Sequence, residues 1–195
     1  PKYIKFFFKK NFKKKNIIKN IKKKLGFPVV VKPINEGSSV NVYICNKSNF
    51  IKNLYKLKDY GEALIEKFIP GREIQVAILG RKKLGAIELK PKRKFYDYEA
   101  KYNQKAKTEH IIPVKITNKN YNKVTSLALK AHNILKCRGV TRSDFRFFKN
   151  KFYLLETNTQ PGMTSLSLVP EIAIYKGIKF IQLIEKILND ASINK

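Results

Sequence analysis

Three oxygen-bearing side chains near the end of the chain have the types and spacing of metal ligands. Glu156 and Asn158 end a strand-like run, "FYLLETN", and face the same side because side chains alternate along a strand. Asp144 belongs to the preceding run, "GVTRSDFRFF", from which it can lie across from them. Two carboxylates and a carboxamide form the hard oxygen site that suits Mg²⁺. A solvated pair of polar residues at a sheet edge is the alternative.

A neighbouring cation favours the metal interpretation. Arg142 precedes Asp144 by two residues and therefore lies on the same strand face. An arginine beside a metal-holding carboxylate suits an anion that arrives at the metal. We therefore predict that both residues belong to one site.

Two upstream stretches could bind a nucleotide. In "KPINEGSSV", Lys32 ends a buried strand and a Gly-Ser loop offers N–H groups and hydroxyls to phosphate oxygens, although the P-loop pattern is absent and a plain turn would look similar. In "LIEKFIPGRE", a carboxylate could hold a ribose while nearby backbone contacts an adenine edge; a surface salt-bridge pattern is the alternative. The candidates in this second stretch are Glu66, Lys67, Ile69 and Glu73.

A third stretch could cover the site. In "FYDYEAKY", Lys101 and Tyr102 follow three aromatic and two acidic residues. A lid that excludes water from a reactive intermediate needs such aromatic cover and a cationic tip. An ordinary surface loop is the alternative.

Strand pairs and helices alternate along the chain, which predicts an α+β fold of two units divided near Gly71. The strand-like runs are "FPVVVKP", "NVYIC", "ALIEKFI" and two hairpins, "REIQVAILGRKKLGAIELK" and "GVTRSDFRFFKNKFYLLETN". Residues 91–113 have no sustained period, and we interpret them as a long ordered loop, which in a compact domain is usually functional.

Four segments have helical patterns. "NIIKNIKKKLG" predicts a short amphipathic helix closed by Gly26, and residues 52–58 predict a second helix. "NKNYNKVTSLALKAHNILKC" predicts a helix that Asn118 or Asn120 caps. "KFIQLIEKILNDA" predicts a final helix with a core-facing apolar stripe. The stripe consists of Phe180, Ile181, Ile184, Ile187 and Leu188.

The composition permits a sizeable core and leaves the charge to be explained. The 195 residues are 43% hydrophobic, no signal-peptide pattern is visible in them, and no run approaches the roughly 18 apolar residues of a membrane span. A net charge of +28 suggests an anionic partner, yet only 6 of the 42 basic residues are Arg, the residue for bidentate phosphate contacts. We interpret the Lys excess as compositional drift of solvated faces. Cys45 and Cys137 lack metal spacing and are typical of reduced thiols in a cytosolic protein.

Taken in order, these stretches resemble the D-alanine–D-alanine ligases of the ATP-grasp superfamily. The resemblance covers about residues 25–190 and is strongest in "VKPINEGSSV", "LIEKFIPGRE", "YDYEAKY", "RSDFRF" and "ETNTQPGMTSLSLVP". It implies an ATP-grasp fold in which two α+β subdomains enclose the nucleotide. These would be a central subdomain at residues 1–72, with a remnant linker at its start, and a carboxy-terminal subdomain at residues 73–195 with the metal and substrate site.

The resemblance also implies an activity. These ligases join two D-alanines at the expense of ATP, through an acyl phosphate, for peptidoglycan precursor synthesis in the cytoplasm. ATP and two Mg²⁺ ions, or Mn²⁺, would be the cofactors, and no nucleic acid or membrane would be a partner; a homodimer is one option. The alternatives are another ATP-grasp carboxylate–amine ligase and a basic nucleic-acid-binding protein.

Carried over motif by motif, the resemblance implies a role for each candidate in nucleotide or metal binding. Lys32 would contact the ATP phosphates, and Lys101 would meet the transferred phosphoryl group. The residues lining the adenosine pocket would be Glu66, Lys67, Ile69 and Glu73. The ligands of the metal ions would be Asp144, Glu156 and Asn158.

The resemblance implies substrate roles for a further set. Arg142 and the backbone of Gly162 would stabilise the oxyanion of the tetrahedral intermediate. Ser38 and Tyr102 would orient the first D-alanine and close the loop. The second D-alanine would bind at Ser167, which receives its carboxylate, and at Leu168.

The sequence departs from the family at its start. The family has an earlier α/β domain that supplies a Glu near the first D-alanine and an ATP-contacting Lys, and neither can be placed in residues 1–26. We therefore expect the central and carboxy-terminal domains of a longer ligase, with poor turnover by this chain alone. Tyr102 favours the dipeptide-forming type over relatives that form a D-lactate ester.

Overall fold

The computed structural model describes residues 1–8, 13–37, 39–90 and 108–191. This part of the chain falls into two compact units, residues 1–69 and residues 70–90 with the segment from Thr108 onward. Each unit has one antiparallel sheet and its own helices, which confirms the predicted α+β class. Three predicted site residues, Ser38, Lys101 and Tyr102, lie outside the described residues.

The first unit contains a four-stranded sheet in the order β1-β4-β2-β3, with every neighbouring pair antiparallel. Its strands are β1 (Tyr3–Phe7), β2 (Val29–Lys32), β3 (Tyr43–Cys45) and β4 (Glu62–Lys67). Its helices are α1 (Lys14–Lys24) and α2 (Phe50–Tyr55), followed by a 3₁₀ turn at Lys58–Tyr60. Gly26 ends α1 as predicted, with φ of 71° and its N–H bonded to the Ile21 carbonyl.

One face of this sheet packs against the helices. Val31 of β2 and Ile65 of β4 lie in the core with Ile21 of α1. Since side chains alternate along a strand, Lys32 and Glu66 must face the other side. The core therefore positions two predicted site residues on the face that the helices leave open.

The second unit contains a five-stranded antiparallel sheet in the order β7-β6-β5-β8-β9. Its strands are β5 (Arg72–Leu79), β6 (Lys82–Lys90), β7 (Glu109–Ile111), β8 (Val140–Phe148) and β9 (Lys151–Asn158). Its helices are α3 (Asn118–Ile134), α4 (Leu168–Tyr175) and α5 (Phe180–Asp190). Both predicted hairpins are confirmed, and Lys149 and Asn150 turn the second with φ of 48° and 57°.

Helix α3 covers one face of this sheet. Ile74 and Val76 of β5 and Phe145 of β8 pack with Val124 and Ala128 of α3. The residues of β5 between and around these apolar positions therefore face the opposite side. Those residues are Glu73, Gln75 and Ala77.

Two predictions about local structure were wrong. Strand β7 lies inside the stretch that we interpreted as a loop, where it pairs with the end of β6. The cap of α3 is Thr117, not Asn118 or Asn120: the extended Thr117 accepts a hydrogen bond from the Asn120 N–H through its hydroxyl. Strand β1 and helix α4 were not predicted, because short segments of this kind are defined by the partners they pack on.

The predicted stripe of α5 was wrong at three of its five positions, whereas Ile184 and Ile187 are half-buried. The fully buried residue of α5 is Leu183, whereas Phe180, Ile181 and Leu188 are 43%, 71% and 64% exposed. The helix packs along a narrower line, so the flanking apolar residues reach solvent. Within the described residues, no helix has the length and apolar character that crossing a membrane requires.

Candidate functional site

A β-bulge sets the direction of the predicted metal ligands. Phe152 of β9 packs into the core with Phe145 of β8. Simple alternation would place Glu156 on the same core face as Phe152. The register shifts before Glu156, so that Leu155 is the extra residue and Glu156 pairs directly with Asp144. The bulge therefore turns Glu156 to the face opposite α3.

Strand register gathers the candidate residues into two neighbouring rows on this face. The first row is Gly85, Ala77, Arg142 and Asn158, and the second is Ile87, Gln75, Asp144 and Glu156. Directly paired residues of antiparallel strands have Cα atoms about 4.5–5.5 Å apart. Arg142, Asp144, Glu156 and Asn158 are therefore immediate neighbours on one surface.

A bidentate ion pair organises this cluster. The Nε–H of Arg142 donates to Asp144 Oδ1 at 2.8 Å, and an Nη2–H donates to Oδ2 at 3.1 Å. Asp144 is buried, and a buried carboxylate requires such a partner. Glu156 is exposed and has no side-chain partner among the described residues. Asn158 Oδ1 accepts from the Gln160 N–H at 2.9 Å, which ends the strand in a turn.

The donor set fits a divalent cation. Gln75 is buried in the same row as Asp144 and Glu156, and its Oε1 has no hydrogen-bond partner within the described chain. An unsatisfied buried oxygen costs about 1–3 kcal/mol, which a cation or its bound water would remove. Among the described residues, no three His, Cys, Asp or Glu side chains lie close enough together to hold a metal ion, so a metal at this face would also need the carboxamides. Two carboxylates and two carboxamides suit Mg²⁺.

Glu73 lies on the same face of β5, two residues before Gln75. It is directly paired with Arg146, whose guanidinium lies 3.4 Å from Glu73 Oε2 and also donates to the Gly71 carbonyl at 2.9 Å. The Gln75 amide donates to Glu73 Oε1 at 3.4 Å. The carboxylate is therefore nearly buried and held in place.

In the first unit, two predicted nucleotide-binding residues pair with each other. Lys32 Nζ lies 2.8 Å from Glu66 Oε2, with both side chains mostly buried. The pair is diagonal across β2 and β4, because Lys32 is opposite Leu64 and Glu66 is opposite Val30. An approaching phosphate group would therefore meet an ammonium that is already oriented.

The side chains of Lys67 and Ile69 make different contacts. Lys67 Nζ donates to the Leu25 carbonyl at 3.0 Å, where it caps the carboxy-terminal end of α1. Ile69 is buried, so its side chain belongs to the packing. A ligand at either residue would meet chiefly backbone.

The predicted substrate segment forms a tight turn before α4. Ser167 is the extended N-cap residue of α4, and its Oγ accepts from the Thr164 N–H at 3.0 Å. A Cβ at Gly162 would lie 2.9 Å from that Oγ, so the backbone of Gly162 passes close to the Ser167 hydroxyl. The side chain of Leu168 is buried, which leaves its backbone at the start of the helix. The structure thus brings Gly162, Ser167 and Leu168 together.

Helix α4 lies over the face that carries Asp144. A Cβ at Gly85 would lie 2.7 Å from Ile172 Cγ2 of α4, and Gly85 is in the row of Arg142. His110 of β7 also contacts this helix, because its Nδ1 lies 2.7 Å from Glu171 Oε2. The proposed substrate and metal residues therefore share one side of one sheet.

A family model described as "D-ala D-ala ligase C-terminus" matches residues 1–189. The chain belongs to this family. It is 70% identical over 195 residues to the D-alanine–D-alanine ligase of Pelagibacter ubique (strain HTCC1062), covering 100% of this chain and 64% of that protein. It is 45% identical over 180 residues to that of Wolbachia sp. subsp. Drosophila simulans (strain wRi), covering 88% and 56%.

Solved structures of D-alanine–D-alanine ligases have the same fold. The Bacillus anthracis enzyme matches with a TM-score of 0.81 and 33% identity over 97% of this chain and 61% of that one. Its structure complexed with ATP matches with a TM-score of 0.78 and 31% identity over 97% and 60%. The predicted ATP-grasp fold is confirmed. The chain spans about six-tenths of the length of these proteins.

Sequence reasoning missed several residues that the structure places on the same sheet face as the candidate site or against it. Gln75 could have been found, because it follows Glu73 by two residues and so shares its face. Gly85, His110 and Glu171 carried no local signal. Their meaning depends on the register of β6 and β7 and on the position of α4.

Proposed function

We propose that this chain is the nucleotide-, metal- and acceptor-binding part of a longer D-alanine–D-alanine ligase. The proposal rests mainly on one structural observation, the cluster of Arg142, Asp144, Glu156 and Asn158 on the sheet face that α4 packs against. Its support from relatives is the 70% identity to a D-alanine–D-alanine ligase. A cytoplasmic location, where ATP and the amino acid occur together, belongs to the same proposal.

The proposed reaction has two steps. A carboxylate oxygen of the first D-alanine attacks the γ-phosphorus of ATP, and ADP leaves. The amine of the second D-alanine then attacks the acyl phosphate carbon, loses a proton, and expels phosphate to form the peptide bond. These steps need positioning and charge neutralisation, not a protein nucleophile.

Asp144, Glu156, Asn158 and Gln75 would hold the metal ions. Two Mg²⁺ ions, or Mn²⁺, would supply neutralisation of the phosphate charge when bound. Asp144 is neutralised in part by Arg142, whereas Glu156 brings a full carboxylate charge from the exposed end of the row. Because of the bulge at Leu155, both carboxylates face the same side of the sheet, where they would hold the metal.

Arg142 would stabilise the tetrahedral oxyanion together with the Gly162 backbone. A guanidinium has five N–H donors, and the Asp144 contact occupies two of them. The bidentate ion pair holds the guanidinium plane of Arg142 in a fixed orientation. Pre-oriented donors stabilise developing negative charge without reorganisation during the reaction.

The second D-alanine would bind at the start of α4. The first N–H groups of a helix have no intrahelical acceptor, and the positive end of the helix dipole favours a carboxylate. Ser167 would add its hydroxyl, which the Thr164 contact already orients. Leu168 would contribute its backbone N–H, since its side chain faces the core.

The proposed nucleotide contacts follow the family motifs residue by residue. Lys32 would bind phosphate, and Glu66 and Glu73 would bind the ribose, while the backbone at Lys67 and Ile69 would contact the adenine. Lys101 at the phosphoryl group, and Ser38 and Tyr102 at the first D-alanine, remain predictions from the family motifs.

The test is ligation by the full-length protein that contains this chain. We expect phosphate release from ATP that requires D-alanine and Mg²⁺, with D-alanyl-D-alanine as the product. A panel with D-serine and D-lactate as second substrate distinguishes acceptors. Absence of product with any of them, together with steeply salt-dependent binding to DNA or RNA, would instead favour a nucleic-acid-binding protein.

A further inference from the structure

The start of α4 carries a negative charge close to where the acceptor carboxylate is proposed to bind. Glu171 lies in the first turn of α4, four residues after Ser167. Residues four apart on a helix have Cβ atoms about 5–6 Å apart. A carboxylate in the first turn stabilises a helix, but here it would also repel a second carboxylate arriving at Ser167.

His110 holds this carboxylate. Its Nδ1 lies 2.7 Å from Glu171 Oε2. A ring that carries a proton on Nδ1 donates this hydrogen bond to the carboxylate. Both side chains are about one-third exposed, at 29% and 34%. The contact therefore fixes where the Glu171 charge sits relative to the end of the helix.

The strand that carries His110 is anchored in the same sheet as the candidate site. His110 of β7 is opposite Leu89 of β6, and Leu89 is opposite Glu73 of β5. Helix α4 is fixed against this sheet at a second point, where Ile172 packs on Gly85. With these two contacts, the sheet determines both the position of α4 and the direction of its acidic side chain.

We propose that His110 is a positioning residue that draws the Glu171 carboxylate away from the acceptor carboxylate. This inference rests on the proposed function, because it concerns binding of the second D-alanine. Loss of the imidazole would leave the Glu171 charge free to turn toward the helix start. The repulsion acts on acceptor binding and leaves the chemistry at the acyl phosphate unchanged.

The test compares four variants of the full-length protein in steady-state ligation with varied D-alanine. We expect His110→Ala to raise the KM for the second D-alanine about three- to tenfold, the size of a partly screened like-charge contact, with kcat within about twofold. Adding Glu171→Gln should restore KM to within about twofold of the parent, because the repelling charge is gone. Glu171→Gln alone should leave KM equal or lower. His110→Asn, which keeps a donor, should lie near the parent.

A matched control removes another ion pair from the same edge strand. Lys90 lies 3.5 Å from Glu109 of β7, with both side chains mostly exposed, and Lys90→Ala should leave KM within about twofold. An equal rise in KM for Lys90→Ala would attribute the effect to loosening of β7 and overturn the proposal. So would a double variant as impaired as His110→Ala, or an unchanged KM in His110→Ala with an active parent. An inactive parent would overturn the proposed function, and this inference with it.

Discussion

Gly71 offers a prediction whose magnitude follows from the structure. Its φ is 105°, outside the conformations that L-residues adopt readily, and a Cβ there would lie 2.4 Å from the Phe147 carbonyl oxygen. The backbone strain costs about 1–3 kcal/mol. The clash adds about 1–3 kcal/mol, because the contact is with backbone of β8 that cannot rotate away. We expect Gly71→Ala to destabilise the second unit by about 3 kcal/mol.

The assay is thermal unfolding, with Gly80→Ala as the matched control. Gly80 also has a positive φ, 56°, but a Cβ there would meet nothing within 4 Å. Only the left-handed backbone cost of about 1 kcal/mol then applies. At about 2–4 °C per kcal/mol for a protein of this size, Tm should fall by about 6–12 °C for Gly71→Ala and about 2–4 °C for Gly80→Ala. Equal losses in the two variants would refute the argument from the Phe147 contact.

Two further predictions concern buried ionisable groups. Arg72 binds the buried Glu88 bidentately, at 2.7 and 2.6 Å, so Arg72→Ala leaves that carboxylate without its cation and should lower the free energy of unfolding by about 1–3 kcal/mol. Lys90→Ala removes an exposed ion pair and should cost under about 1 kcal/mol in the same urea titration. Equal costs in the two variants would contradict this prediction. Burial lowers the pKa of His132 below its ordinary value near 6.5. Between the lowered pKa and pH 6.5 the unfolded chain therefore binds more protons than the folded chain. The stability that this neutral His132 contributes above pH 6.5 should be lost as the pH falls. Urea midpoints at pH 7.5 and 5.5 measure this loss, and His132→Leu should reduce it; an unchanged loss would refute the assignment to His132.

Much of the fold followed from patterns that are local in the sequence. The two hairpins and the end of α1 at Gly26 are set by strand alternation, turn residues and a glycine at positive φ. Signals of this kind act over a few residues, so a single sequence contains them. The pairing of Asp144 with Glu156 was also expected, since both lie on adjacent strands of one hairpin.

The bulge at Leu155 could not be predicted. No residue type marks it, and it exists because Phe152 must reach the core while Glu156 must face away from it. The exposure of Ile181 shows the same limit for α5: helical periodicity gives an apolar side but not how much of it a partner covers. The diagonal Lys32–Glu66 pair depends on the register of strands far apart in sequence.

We expect Asp144 and its neighbours to bind a nucleotide through divalent cations. The direct measurement is calorimetric ATP binding to the full-length protein, with and without Mg²⁺, for the parent and Asp144→Asn. Asp59→Asn, an exposed site with the same change in charge, is the control. We predict Mg²⁺-dependent binding in the parent and Asp59→Asn, and at least a tenfold loss of affinity in folded Asp144→Asn, consistent with about 1.4 kcal/mol or more. Equal affinity in all three proteins, or binding indifferent to Mg²⁺, would contradict the account.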